Sequence, residues 1–351
     1  MERRRFVAVA AAAGLGVAAG AGAIGWGADG PKRVPLNIDI QPSWLTWVTS
    51  VTACLRALGI DCDNVDVAGQ SGYAFHMCVT SAVDVYGPTF LPWEELAAGV
   101  RRLGRSTLEY QMGDSTAKDD WPPGEAMRFD IAKREIDAGR PCVLWGIEMP
   151  EFAAVVGYEG DEYIYRWAGD RGKEERMQFG KSSDPGGPYL LAFPSTTQMP
   201  KDDANSGAVR NALEFLHRRP YGPDHRFGPE GYAVWMTALR GGKVTAFGNS
   251  YCAQCFADAK RMAELFVGRL AKRNPAAEGP LSDAMVAYQA CADAMKKVAD
   301  VFPFPPKGNE PVTDEKQIGA ACDGLRAAEA AETRAVKALE TALEAMWAKA
   351  K

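Results

Sequence analysis

The chain has 351 residues and a net charge of −5, with 47% hydrophobic and 24% charged residues. That balance supports hydrophobic cores in about two domains at the usual ~100–200 residues each, and it lacks the basic stripe that a nucleic-acid partner requires. Eight cysteines exclude a disulfide scaffold but leave material for several bridges in an oxidising compartment, and three histidines (His76, His217, His225) leave little for metal or cofactor chemistry, so neither is expected.

Arg3, Arg4 and Arg5 precede Phe6, and Val7 to Gly25 is an uncharged Ala/Gly/Val run ending in the small residues Ala21, Gly22 and Ala23. This pattern reads as a twin-arginine export signal over 1–26, placing the protein outside the cytoplasm. The alternative is an uncleaved anchor, since about 20 apolar residues span a bilayer. It is the one membrane contact the sequence suggests.

Residues 27–42 hold Pro31, Pro35 and Pro42 and read as a linker. Helical spacing then runs from Trp44 to Leu58, stopped by Gly59, and a short strand is expected at Tyr73–Val79. Leu91–Leu103 is a helix with Pro92, Glu94 and Glu95 in its first turn. Thr107–Met112 is a strand, and Glu125–Ala138 a helix closed by Gly139. Apolar runs at 142–147, 152–158, 163–167 and 189–193, parted by turn residues, indicate an antiparallel sheet. Residues 43–195 thus form an α+β domain. The polar stretch Pro194–Asn205 marks a boundary, and 206–351 reads as an all-α helical bundle with helices at 206–219, 229–240, 250–272, 281–300 and 314–348 and no strand.

Gly139-Arg140-Pro141-Cys142-Val143, then Phe152 to Tyr158 with its Gly157-Tyr158 end, the turn at 159–162 and the strand Tyr163–Trp167 resemble the second half of a papain-like domain. The nearest variants are the bacteriocin-processing cysteine peptidases and the N-terminal domain of butirosin-biosynthesis protein H, an acyltransferase. The helix ending at Gly59, with Gly69, Gly72 and Phe75, resembles the first half. Gly231-Tyr232, Trp235 and the alanine-rich last helix resemble the companion helical domain. The resemblance implies a cysteine at the start of the first helix, a histidine on the Gly-Tyr strand and an Asp or Asn beyond it. All three places are vacated. The first falls near Trp47 and Val48, the histidine position holds Glu151, and the third falls near Trp167. A degenerate papain-like domain that binds a peptide or small molecule follows, in a cleft lined by aromatics such as Trp145, Trp167, Tyr221, Tyr232 and Trp235. The alternative is a hydrolase or acyltransferase rewired around Cys54 and His76. His76 and Cys78 share a side of the expected strand, while Cys54 lies on the apolar face of its helix, where packing is its ordinary role.

Other residues carry open readings. Glu151 is either a weak base or a solvated edge charge. His217 sits at a helix C-terminus, and His225, beside Asp224 in a Pro/Gly loop, is a binding candidate. Cys252 and Cys255 form a CxxC without a second pair, so they read as core on a helical stripe, with a disulfide as the alternative. Glu329 and Glu332 lie three apart on the last helix and could hold an amine or a metal, unless Ala328, Ala331 and Ala335 carry its buried seam.

Overall fold

A computed structural model describes residues 30–349, apart from residues 36, 91–92, 112–120, 183–188, 221 and 223. The expected export segment lies outside the described residues, as do Pro92, Met112 and Tyr221. No helix among the described residues is long and apolar enough to cross a membrane. The protein is mixed α+β, with an antiparallel sheet in the first half and a helical region in the second.

Helix α1 (Thr46–Ala57) ends where Gly59 takes φ +82°, a left-handed conformation that disfavours any residue with a Cβ. Helix α2 (Asn64–Ser71) follows, capped by the Asp63 side chain. Strand β2 (Cys78–Val79) is only two residues long, because a 3-10 turn at Tyr73–Phe75 occupies the rest of the expected strand. Gly72, at φ +88°, starts that turn, and His76 therefore precedes the strand. Helix α3 (Trp93–Val100), strand β3 (Leu108–Gln111) and helix α4 (Trp121–Asp137) come next.

Strands β4 (Cys142–Trp145), β5 (Phe152–Glu159), β6 (Glu162–Arg166), β7 (Glu174–Gln178) and β8 (Tyr189–Ala192) complete the sheet in the order β3-β8-β4-β5-β6-β7, all antiparallel. Strand β5 is buried from Phe152 to Val156, with α1 and α4 both packed against it, which explains its continuous apolar run. The expected linker is not free chain. Lys32–Arg33 (β1) pairs with Tyr158 and Gly157 of β5, and Val34, Ile38 and Ile40 enter the core. The apolar spacing within those sixteen residues outweighed their prolines.

The second half contains α5 (Lys201–Leu216), α6 (Pro229–Arg240), α7 (Ala246–Arg273), α8 (Glu278–Val301) and α9 (Glu315–Lys349). Helix α5 starts inside the expected boundary, and strand β9 (Arg226–Phe227) corrects the expectation of no strand. It pairs with β2, stitching the two halves together. Helices α2 and α7 make a second seam, where Gly69 lies flat against the Phe266 ring. Arg269 of α7 makes a two-pronged bond to Asp63 at 2.7 Å, which holds that carboxyl down at about pKa 2. One buried cluster runs through both halves.

Gly157 gives the sheet a local test. A Cβ there would lie 2.3 Å from the Lys32 carbonyl oxygen of β1, so the strand must move for any larger residue. Gly157→Ala is expected to lose about 1–3 kcal/mol of stability in urea unfolding; a variant as stable as its parent would place β1 elsewhere.

Candidate ligand-binding cleft

The first turn of α1 is held from two sides. On the sheet side, Thr46 Oγ1 donates to Glu151 Oε2 at 2.6 Å and accepts from the Phe152 N–H at 3.3 Å. On the helical side, Asp258 Oδ2 on α7 accepts the Ser43 hydroxyl at 2.6 Å and the Trp44 N–H at 2.8 Å. Ser43 in turn accepts the Leu45 N–H at 3.0 Å. These bonds fix the chain as it enters α1, and they place one carboxylate on each side of it.

Between them opens a cleft of about 950 Å³. Trp145, Glu151 and Trp167 belong to its sheet side. Tyr251, Gln254, Ala257 and Asp258 come from α7, and Lys296, Ala299 and Asp300 from α8. Gln254 donates to the carbonyls of Ala299 and Phe302, which fixes the chain leading to Phe304. Phe304 meets Trp44 edge-on at 5.0 Å between centroids and Phe247 at 5.5 Å, while Trp44 meets Tyr251 at 6.3 Å. On the other side Trp145 packs on Phe152, and its carbonyl accepts a bond from the fully buried Arg128, itself paired with Glu125. The Trp167 indole N–H donates to Glu175 at 3.1 Å. The large rings are therefore positioned before any ligand enters.

Burial raises the carboxyl pKa of both Glu151 and Asp258, and the bonds from Thr46, Ser43 and Trp44 offset this in part. A carboxyl raised in the folded state favours folding when protonated. That contribution is complete below the ordinary carboxylate pKa and fades as pH climbs through the raised value. Lys296 is bonded to Asp300 at 2.7 Å on the rim, so the one basic lining residue among those described already has a partner.

Three of the residues singled out from the sequence meet here: Trp145, Glu151 and Trp167. Glu151 is half-buried and hydrogen-bonded, which corrects its reading as a solvated edge charge. Tyr232 and Trp235 are not cleft residues. Both are fully buried in the helical core, where Tyr232 donates to Glu332 and Trp235 to Asn249. His225 packs on Phe90 at 4.3 Å between tilted rings and is not among the described cleft residues. His217 caps the C-terminal end of α5 and bonds Glu340.

Cys54 and His76 are both sealed in the core, with no hydrogen bond joining them. Burial pushes the Cys54 thiol far above the ordinary range, and Cys142 is raised by its own burial and then by Cys54. His76 sits among Tyr73, Phe215 and Phe227, and burial, then Lys260 and Arg218, lowers its pKa to about 3. All eight cysteines are free and buried, so Cys252 and Cys255 are core residues of α7 and form no disulfide.

Glu329 and Glu332 do not act as a pair. Ala328, Ala331 and Ala335 carry the buried seam; Glu329 is half-exposed, and Glu332 is fully buried against Lys260 at 2.5 Å. No cluster of metal-ligating side chains occurs among the described residues. Sequence reasoning missed Thr46, Asp258, Tyr251 and Phe304. A signal for two of them existed: Tyr251, Gln254 and Asp258 form a polar and aromatic stripe beside the Cys252–Phe256 core stripe of α7.

The Lys260–Glu332 pair yields a sharp expectation. Lys260→Met should lose about 3–5 kcal/mol because it strands a buried carboxylate, whereas Lys260→Met with Glu332→Leu should recover most of that loss. Denaturant midpoints of both single variants and the double variant check it, and a double loss equal to the sum of the two single losses would show that the residues act independently. Set against protein-family models and against curated proteins, the chain finds no match.

Proposed function

We propose that this is an exported binding protein, built on a papain-like scaffold that has lost its thiol chemistry and holds a small molecule or short peptide in the cleft. One observation carries the reading. Of the three places that a papain-like peptidase reserves for catalysis, the first falls at Trp47 and Val48, sealed in α1 beside the cleft residue Thr46, and the other two are held by Glu151 and Trp167, which line one aromatic cleft instead of forming a thiolate–imidazole pair. Thr46 offers a hydroxyl at that turn, but its partner is a carboxylate, far too weak a base to ionise an alcohol. The volume suits a ligand of ordinary small-molecule size. Export rests on the Arg3-Arg4-Arg5-Phe6 pattern and the apolar run after it.

Two measurements test this reading. The neutral apolar dye N-phenyl-1-naphthylamine is expected to bind saturably, about one per chain, and Ala257→Trp, which fills the cleft from α7, should abolish that binding. Dye uptake that is unsaturable, or unchanged in the variant, would leave the cleft without a binding role. Iodoacetamide at pH 7.5 should leave Cys54 unlabelled in the folded protein and label it only after denaturation. Rapid labelling of native Cys54 would instead restore a thiol mechanism.

A further inference from the structure

The two carboxylates at the cleft have an unusual electrostatic position. Each uses one oxygen to hold the start of α1: Glu151 Oε2 accepts from Thr46, and Asp258 Oδ2 accepts from Ser43 and Trp44. Among the described residues, the second oxygen of each accepts no hydrogen bond, yet it is not sealed from solvent. Both side chains line the cleft, so those free oxygens are available to whatever enters it. Among the described residues neither carboxylate is paired with a Lys or Arg, and Lys296, the one basic residue among those described in the lining, is committed to Asp300.

The two groups line the same cleft, and beyond its own burial the Cys255 thiol is pushed up by Glu151 and, less, by Asp258, with a Tyr251 hydrogen bond acting the other way. The other titratable groups facing Glu151 are Tyr73 and Tyr251, whose hydroxyls burial keeps neutral, and they offer no compensating positive charge. A mostly apolar cleft with two uncompensated carboxylates is costly when empty, and that cost is recovered when a cation arrives. Its aromatic walls favour the same charge, since ring faces attract ammonium groups and apolar surface accepts their carbon.

We infer that the cleft selects an organic cation, an amine or quaternary ammonium carried on an apolar body, with Glu151 and Asp258 meeting the charge and Trp44, Tyr251 and Phe304 the body. This rests on the binding role proposed above and specifies the ligand's chemistry. A metal ion is disfavoured, because two carboxylates already engaged as helix anchors, inside aromatic walls, offer too few oxygens. Binding of a permanently charged ligand stabilises the ionised carboxylates, so it releases protons, and its affinity rises with pH through their raised titration range.

The test is displacement of N-phenyl-1-naphthylamine by three probes of matched shape: benzyltrimethylammonium, its uncharged carbon isostere neopentylbenzene, and the anion benzylsulfonate. The cation should compete about tenfold better than the isostere at pH 7.5, the anion worse than either, and the cation's advantage should shrink towards pH 4. Glu151→Gln and Asp258→Asn keep an acceptor oxygen for the helix anchors, so both should fold, still bind the dye saturably and lose most of the cation preference. Circular dichroism and thermal unfolding verify the fold of each. Equal competition by cation and isostere, with the dye still bound, would overturn the cation inference and leave the binding role standing. A preference that survives in both variants would overturn it as well, since the charge would then come from elsewhere. Absence of saturable dye binding would remove the binding role itself.

Discussion

A helix enclosed on all sides can meet solvent only at its ends, and α1 is enclosed from Trp47 to Leu55. The sheet lies against one side and α2 against another, while α7 meets the residues just before its start. A helix so enclosed is positioned where the chain enters it, and that entry is held by a pair of side chains from distant parts of the sequence, Glu151 through Thr46 and Asp258 through Ser43 and Trp44. The cleft is the space between these two anchors, so its position follows from how the helix is held.

The same constraint explains where charge is tolerated. The interior contains Arg128 with Glu125 and Lys260 with Glu332, each bonded to its opposite charge. These pairs are structural: the first supports the Trp145 carbonyl, and the second joins α7 to α9 beneath Tyr232. Glu151 and Asp258 are different, because their partners are neutral hydroxyl and amide groups. Buried carboxylates without a cation tend to be retained where they serve a ligand. Cys54 and His76 illustrate the opposite case, reactive residue types neutralised by enclosure in apolar surroundings.

Much of the architecture was legible residue by residue. The stops at Gly59 and Gly139, the spacing of α7 and the turn-punctuated runs of β4 to β6 are local signals, and the elements stand where those signals lie. The lead-in at 27–42 and the short strand at Tyr73–Val79 were misread for one reason. Both depend on partners far along the chain, β5 for the first and β9 for the second. The same holds for Tyr232 and Trp235, whose aromatic character fits a cleft wall and a bundle core equally well.

The sequence by itself determined most of the element types and singled out Trp145, Glu151 and Trp167 as candidate site residues. Periodicity and turn chemistry act over a few residues, so these properties survive without tertiary contacts. Only the tertiary structure decided that Asp258, more than one hundred residues further on, shares a cleft with Glu151, and that Glu332 does not. Burial and charge compensation depend on what approaches across space, and linear spacing carries no record of that approach.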